Sequence, residues 1–448
     1  MPRRTAVLVA LLGALALAPA APAARSPNVE VVASVPAMRQ AIAVNFIDDT
    51  MFVSTVTGVY SYDVSDPSSP TLLGALPMYI WENEDMDVDV KRERLFISRD
   101  PRGFTSPGTS GATFPYGAVH IIDVSNPRAM TQVGFFLSPA GHTTTCVNDC
   151  DFVWTSGPYA NTGPATQNPG LSGRPIYATD VRDPANPVPC PAPIDTDHFD
   201  GKSGYVHDIQ VDAAGVAWVS GEGGLRGYWT SGERLNPLTG RVETATPCSP
   251  IPYGGAGSPA SATPSRFMHN SWREAVRTPD VVLGTEENIT SACATAGRFV
   301  AYDVSETLDG RGFAPATAAS AKMRVLDTWT PQSQPGSTGC ASAHYFASRG
   351  DGITANAFYG QGVRFLDVSD PTDIRQVGYF VNSDSNTWAA YWHKGLVYVA
   401  DSGRGIDILR FTGQAGKSPA LSAPVLRSRT AGLRFSRSVF GGLCPLPS

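Results

Sequence analysis

A segment of about sixty residues recurs along this chain, and it limits the possible folds more than any other feature does. In each copy an alternating apolar stretch ends at an aspartate, and in most copies Asp-Pro or Asn-Pro begins three residues later. The marker aspartates are Asp63, Asp123, Asp180, Asp303 and Asp367. Their spacings are 60, 57, 123 and 64 residues, so the long interval spans two periods and one unit lacks the marker.

Each unit is predicted to form four short antiparallel strands. Proline presets φ and an Asx side chain bonds nearby backbone amides, so the segment after the marker is a turn between two strands. A strand such as residues 131–136 follows the turn, and two further apolar strands precede the marker, as at 86–90 and 94–98. Four antiparallel strands per unit are typical of one blade of a β-propeller.

Counting the units predicts an all-β fold, a single seven-bladed β-propeller. The innermost strands are expected to begin near Gln40, Glu84, His142, His207, His269, His344 and Trp388. The seventh unit lacks an outer strand, and residues 29–34 supply a candidate. Pairing with residues 405–411 would close the ring and cover an exposed sheet edge. An open array of blades, or two smaller propellers, is the alternative.

The Asp-Val-Ser-Asp-Pro copies resemble those of the LVIVD-repeat family of exported β-propeller proteins. The resemblance covers roughly residues 35–411 and is degenerate in the fourth and seventh units. It implies a seven-bladed propeller located outside the cytoplasm. It implies little about chemistry, because the family is defined mainly by its repeat.

The N-terminal segment is typical of an export signal. Arg3 and Arg4 precede an apolar run at 6–18, and the small residues that end at Ala20 and Ala23 suit signal-peptide cleavage. The run is shorter than the roughly 20 residues that span a bilayer. No cysteine follows it to carry a lipid anchor. A retained N-terminal anchor is the alternative.

We expect three segments: a signal peptide at 1–23, the propeller at 24–411 and a basic C-terminal tail at 412–448. The mature protein is expected to be secreted or otherwise extracytoplasmic, with no stable membrane span. The net charge is −6 and 17% of the residues are charged. This argues against nucleic acid as a partner, because phosphate contacts need clustered Lys and Arg. The expected partner is an unidentified small molecule or a cell-surface molecule.

Four of the seven histidines share one position in the repeat. His142, His207, His269 and His344 each stand at the start of an innermost strand, and Glu84 stands there in the second unit. In a propeller these positions meet at one mouth of the channel, and the second strands end at the same mouth. Those ends carry Arg99-Asp100, Glu222, Glu286-Glu287 and Asp401. The sequence therefore predicts a rim of imidazoles and carboxylates.

The four histidines are the predicted ligands of a transition metal, copper or zinc. Imidazole suits both ions, and carboxylates can complete the ligand shell or orient the imidazoles. Glu84, Glu222 and Glu286 are the predicted catalytic groups. Two alternatives stay open: the histidines pack the blades together, or the mouth binds a ligand without metal. The sequence has no nucleophile elbow, Walker loop or dinucleotide fingerprint.

Seven cysteines suit an oxidising compartment. Cys146 and Cys150 flank the tight turn Val-Asn-Asp and are predicted to form a disulfide. A bridge between Cys293 and Cys340, on the histidine-bearing face, is the next expectation. An odd count leaves at least one thiol free or in an intermolecular bond.

Two functions of different classes follow from these features. The first is a secreted metal-binding propeller with oxidoreductase or lyase activity. The second is a non-catalytic extracytoplasmic module that recognises a protein or a glycan through its loop face. Insertions at 103–116, 158–173, 230–264 and 305–339 are rich in Gly, Pro, Ser and Thr and are predicted to be surface loops. The metal content of the purified protein separates the two functions.

Overall fold

The computed structural model shows seven antiparallel sheets arranged as the blades of a β-propeller. It describes residues 24–100, 117–157, 175–196, 206–221, 224–257, 266–288, 297–305, 323–331, 341–382 and 384–417. The innermost strands of successive blades contact one another in a closed ring. The predicted all-β, seven-bladed fold is therefore confirmed.

The strands are numbered in chain order and grouped by blade. Two precede the first blade, β1 (Ala24–Arg25) and β2 (Val29–Val35). Blade 1 contains β3 (Ala41–Ile47), β4 (Thr50–Thr55), β5 (Gly58–Asp63) and β6 (Thr71–Pro77). Blade 2 contains β7 (Asp87–Asp89), β8 (Arg94–Arg99), β9 (Gly117–Asp123) and β10 (Thr131–Ser138). Blade 3 contains β11 (Thr143–Val147), β12 (Phe152–Ser156), β13 (Tyr177–Asp180) and β14 (Val188–Pro189).

Blade 4 contains β15 (Val206–Val211), β16 (Val216–Gly221), β17 (Gly224–Trp229), β18 (Gly232–Asn236), β19 (Arg241–Ala245) and β20 (Ile251–Gly257). Blade 5 contains β21 (Arg266–Trp272), β22 (Val281–Asn288), β23 (Phe299–Asp303) and β24 (Arg324–Trp329). Blade 6 contains β25 (Phe346–Ser348), β26 (Ile353–Ala357), β27 (Val363–Asp367) and β28 (Arg375–Val381). Blade 7 contains β29 (Thr387–His393), β30 (Leu396–Asp401) and β31 (Gly405–Phe411).

The N-terminal strand closes the ring, as predicted. β2 pairs antiparallel with β31, so that Val29 lies opposite Phe411 and Val35 lies opposite Ile406. Both valines are buried, so β2 adds apolar packing as well as covering the sheet edge. β1 extends blade 6 by pairing with β28. The N-terminal segment therefore joins two neighbouring blades.

The marker aspartates cap turns through their side chains, which explains the recurring motif. Oδ1 of Asp63 accepts a hydrogen bond from the backbone amide of Ser65 at 2.9 Å. The same bond occurs at the four other markers. Three residues on, Oδ1 of Asp66 accepts from the amide of Ser68 at 3.0 Å. Two consecutive Asx turns thus carry the chain from the third strand to the fourth.

A glycine in the outer strands lets neighbouring blades approach closely. A Cβ added at Gly74 would collide with the carbonyl oxygen of Pro127, and one at Gly134 would collide with that of Pro184. Both prolines belong to the Asx-Pro turn of the following blade. The glycine and the proline of the motif therefore form one repeating contact between blades.

Blade 4 carries an extra hairpin where the repeat motif is missing. Its third strand leads into β18 and β19, which pair with each other before β20 returns to the sheet. The interpretation of residues 230–264 as a surface loop is therefore wrong for 232–236, 241–245 and 251–257. The same interpretation of residues 305–339 is wrong for 324–329, which form β24. Residues 237–240 form the turn between β18 and β19.

Two disulfides occur among the described residues. The predicted bond between Cys146 and Cys150 spans the turn between β11 and β12, with 4.4 Å between the Cα atoms. A second bond, which the sequence did not predict, joins Cys190 to Cys248 with a Cα separation of 5.5 Å. It ties the extra hairpin of blade 4 to the outer edge of blade 3.

Several predictions concern residues outside the described ranges. They are the signal peptide at 1–23, the pair Cys293 and Cys340, the carboxylate of Glu222, and the tail beyond residue 417. Within the described part of the chain, no helix has the length and apolar character needed to cross a bilayer.

Candidate metal centre

Bulges in two innermost strands turn adjacent residues into the channel. The pairing of β15 shifts between Val206 and Asp208, and that of β21 shifts between Met268 and Asn270. An inserted residue breaks the two-residue alternation of a strand. The histidine at each shift and the polar residue after it then both contact residues of other blades.

The four repeat histidines converge on one carboxylate. Oε2 of Glu84 lies 3.1 Å from Nε2 of His269, 3.3 Å from that of His207 and 3.4 Å from that of His142. Oε1 of Glu84 lies 3.6 Å from Nε2 of His344. The Nε2 atoms of His142 and His207 are 3.0 Å apart. The structure thus brings together the four predicted ligands and Glu84, which come from five consecutive blades.

This cluster is enclosed, whereas the sequence suggested a rim at the channel mouth. The four histidines and Glu84 are each 0% exposed. Blades 7 and 1 have no histidine at this position, and a group of mostly apolar side chains from blades 6, 7 and 1 lies there. Ile42, Val56, Tyr359 and Trp388 form a buried cluster against which Trp81 packs. The rings of Tyr359 and Trp388 lie 4.9 and 5.1 Å from the ring of His344, so this apolar wall borders the imidazoles directly.

Polar contacts behind three of the rings hold Nε2 toward the centre. The Nδ1 partners are the Asp100 carboxylate at 2.8 Å for His142, the His269 carbonyl at 3.1 Å for His207, and the Trp388 carbonyl at 2.6 Å for His344. A carbonyl oxygen can only accept, so Nδ1 carries the proton in the second and third contacts. In the neutral imidazole Nε2 then presents a lone pair, as a metal ligand must.

The protonation states of His207, His269 and Glu84 also suit metal binding. Burial lowers the pKa of His207 to about 4. Burial, and then the charges of His344 and His207, hold the pKa of His269 well below its usual value. Burial would raise the pKa of Glu84, but the charges of His142 and His344 and the imidazole hydrogen bonds outweigh it, so this pKa lies well below its usual value. At neutral pH Glu84 is therefore ionised and the imidazoles of His207 and His269 are neutral. Burial would lower the pKa of His344, but the charges of Glu84 and Glu287 and the hydrogen bonds of this ring outweigh it, so this pKa lies above its usual value.

Glu287 belongs to the cluster, and its neighbour Glu286 does not. Oε1 of Glu287 accepts a hydrogen bond from the hydroxyl of Tyr359 at 2.5 Å. Burial raises the pKa of Glu287 to about 8. The carboxylate of Glu286, a predicted catalytic group, instead binds the guanidinium of Arg298 at 2.5 Å. Adjacent residues of a strand face opposite sides of the sheet, so only one of these two glutamates can face the cluster. The position in the repeat did not show which of the two it is.

A second polar layer lies next to the imidazoles along the channel. Oδ2 of Asp208 accepts a hydrogen bond from the side-chain amide of Asn270 at 2.7 Å, and Oδ1 of Asp208 accepts one from the hydroxyl of Tyr345 at 3.2 Å. The amide of Gln210 donates to Asp85 at 3.1 Å. Burial raises the pKa of Asp208 to about 6. The residues after His207, His269 and His344 thus form a hydrogen-bonded network beside the ligand layer, and sequence reasoning did not identify Asn270 and Tyr345 as members of it.

Three groups of donor atoms, two of which share His269, lie close enough to hold a metal ion. Within each group the donor atoms are within 4.8 Å of one another. The groups are Glu84, His207 and His269; His269, Glu287 and His344; and Glu82, Asp100 and His142. Every member is buried. These groups could therefore hold a metal ion, and no thiolate takes part in them.

The comparisons with known proteins concern the fold. Residues 62–76 and 117–137 match the LVIVD repeat. The β-propeller domain of Cps50 (Swd1) from Myceliophteria thermophila is similar at 11% identity and a TM-score of 0.50, over 86% of this chain and 100% of that chain. The extracellular domain of BT4673 from B. thetaiotaomicron has 11% identity and a TM-score of 0.49, over 85% of this chain and 40% of that chain. No curated protein matches the sequence.

Proposed function

Because this chain is an LVIVD-repeat β-propeller with four imidazoles gathered around one carboxylate, we propose that it binds a transition metal, zinc or copper, inside its channel. The observation that carries the proposal is the spacing of the donor atoms. A tetrahedral site with bonds of about 2.0–2.1 Å has ligand atoms about 3.3–3.4 Å apart. The separations among Glu84 Oε2 and its neighbouring Nε2 atoms are 3.1, 3.3 and 3.4 Å.

The donor chemistry supports the same ions. Imidazole nitrogen binds zinc and copper well, and a carboxylate can complete the shell of either. Packing alone does not explain the buried Nε2 of His344, which has no hydrogen-bond partner among the described residues. A structural cluster would be expected to satisfy such an atom, because burying an unpaired polar group costs free energy.

The proposed activity is that of an oxidoreductase or a lyase. A bound metal ion supplies Lewis acidity, or electron transfer if it is copper. The contacts at Nδ1 orient the imidazoles, and the apolar wall beside His344 excludes water. Glu287, which accepts a hydrogen bond from Tyr359, would supply a further carboxylate oxygen next to the cluster. An exported location is supported by the two disulfides, which are typical of oxidising compartments.

Metal analysis of the purified protein tests this proposal. We expect zinc or copper to stay bound through gel filtration, and His207→Ala to remove most of it while the propeller remains folded. His120→Ala and His393→Ala are matched controls. The ring of His120 contacts Gln132 on an outer strand, and that of His393 stacks on Phe46. Loss of metal in these controls would contradict the assignment of the cluster.

A histidine that only packs the blades gives a different result. His207→Ala would then lower the melting temperature, and no form of the protein would retain metal. A metal-free protein that captures a specific surface protein or glycan would support the non-catalytic binding module instead.

A further inference from the structure

The two oxygens of Glu84 serve different donor groups. Oε2 is the oxygen nearest to His142, His207 and His269, at 3.1 to 3.4 Å. Oε1 is the oxygen nearest to His344, at 3.6 Å. The carboxylate of Glu84 therefore lies between three imidazoles on one side and a fourth on the other. A carboxylate in such a position can bridge two sites.

Two donor atoms on this side of Glu84, one of them on the fourth imidazole itself, have no hydrogen-bond partner among the described residues. Nε2 of His344 and Oε2 of Glu287 are buried and have no hydrogen-bond partner within the described part of the chain. Both residues are 0% exposed. Together with His269 they form a group whose donor atoms lie within 4.8 Å of one another. An imidazole nitrogen and a carboxylate oxygen left unpaired at one buried place are donor atoms that a bound cation would satisfy.

One zinc ion cannot use all of these donors. Zinc in protein sites binds four ligands as a rule, or up to five. The three imidazoles around Oε2, with Oε2 itself, already supply four. His344, Glu287 and Oε1 of Glu84 are then in excess, although each is buried beside the others.

We infer that the cluster holds two metal ions joined by the carboxylate of Glu84. The first ion takes Oε2 of Glu84 and the Nε2 atoms of His142, His207 and His269. The second takes Oε1 of Glu84, Nε2 of His344 and Oε2 of Glu287. Three protein donors leave this second ion a position for an exogenous oxygen ligand. Two-metal sites of this kind place both ions on the oxygens of one substrate. The inference rests on the proposed function, since both need metal at this cluster.

Zinc stoichiometry tests the inference on the full chain. The protein is stripped with a chelator, reloaded with zinc, passed through gel filtration and analysed for zinc per chain. We expect two ions in the unmodified protein and one in both Glu287→Ala and His344→Ala. Glu286→Gln is the matched control, because the adjacent glutamate binds Arg298, and it should retain two. Circular dichroism melting verifies that each variant is folded.

Copper loading gives a second readout that does not depend on activity. Two copper(II) ions sharing one carboxylate couple magnetically, so the integrated paramagnetic resonance signal should fall well below two spins per chain. Glu287→Ala should restore an uncoupled signal of one spin.

Each other result is decisive. One zinc ion in the unmodified protein, unchanged in Glu287→Ala, overturns the second site and leaves the proposed function standing. If the unmodified protein and Glu287→Ala both bind two zinc ions, the second ion does not use Glu287, and the inference is also overturned. No retained metal overturns the proposed function together with this inference.

Discussion

Replacing Asp100 tests how far the metal affinity of the cluster depends on contacts behind the ligands. Oδ2 of Asp100 lies 2.8 Å from Nδ1 of His142, and both side chains are fully buried. A carboxylate at this position orients the imidazole and makes its Nε2 more basic. We therefore expect Asp100→Ala to weaken zinc binding more than Asp100→Asn, whose amide oxygen still accepts a hydrogen bond from Nδ1–H.

The size of the effect follows from the contact that is lost. Removing such a partner typically weakens metal binding about 10–100-fold, or about 1.4–2.7 kcal/mol. Asp100→Ala should weaken zinc binding by close to 100-fold, because it leaves a buried Nδ1–H without its acceptor. Asp100→Asn should weaken it by only about 10-fold. Glu82 has a donor atom within 4.8 Å of those of Asp100 and His142, so adding Glu82→Gln to Asp100→Ala should weaken binding further.

Competition with a chromogenic chelator at fixed pH measures the zinc affinity. Asp401→Asn is the control, because Asp401 also stands at the inner end of a second strand. Its carboxylate accepts from the amide of Asn386 at 3.0 Å and the hydroxyl of Thr387 at 2.9 Å. This variant should lose stability and keep its zinc affinity. The reasoning is refuted if Asp100→Ala binds zinc as tightly as the unmodified protein, or if Asp401→Asn weakens binding equally.

Three further predictions concern stability. Gly134→Ala should lower the free energy of unfolding by about 1–3 kcal/mol, because the added Cβ would collide with the carbonyl oxygen of Pro184. Urea unfolding measures this, with Thr131→Ala at an exposed position of the same strand as the control. Equal unfolding midpoints for the two variants would contradict the prediction. Deleting residues 24–35 should lower the melting temperature and promote association, since the edge of β31 becomes uncovered; an unchanged, monomeric protein would argue against a role in closure. Burial raises the pKa of Glu287 to about 8, above about 4.3 in the unfolded chain, so the stability of the metal-free protein should fall as pH rises through that interval. Glu287→Gln should flatten that part of the profile, and an equally steep profile in the variant would exclude Glu287 as its source.

Much of the architecture follows from local pattern. Asp63 and its counterparts bond amides two residues away, so the sequence of the turn carries its own structural information. The period between turns then sets the number of blades. The predicted starts of the innermost strands lie within three residues of the observed strands. The partner of β31 was also predictable, because the last unit lacks a strand and an apolar strand precedes the first unit.

The repeat also predicted the residues of the site, from the position that they share in successive units. Four histidines and Glu84 occupy one position of successive units, and that position lines the channel in every blade. Ring closure alone then brings them near one another. The bulges of β15 and β21 were not visible in the sequence, because a bulge depends on how two strands pair. Asn270, which belongs to the second polar layer, was missed for that reason.

The form of the blade, the number of blades and the position of the histidines could all be predicted, since each of these depends on residues close together in the chain. Which side chains meet in the channel depends on how the blades pack. Glu84 and His269 are 185 residues apart, and the choice of Glu287 over Glu286 depends on which face of β22 borders the channel. Cys190 pairs with Cys248 because the extra hairpin of blade 4 packs on blade 3. Contacts of this kind join separate blades, and no local pattern encodes them because they exist only when the ring is closed.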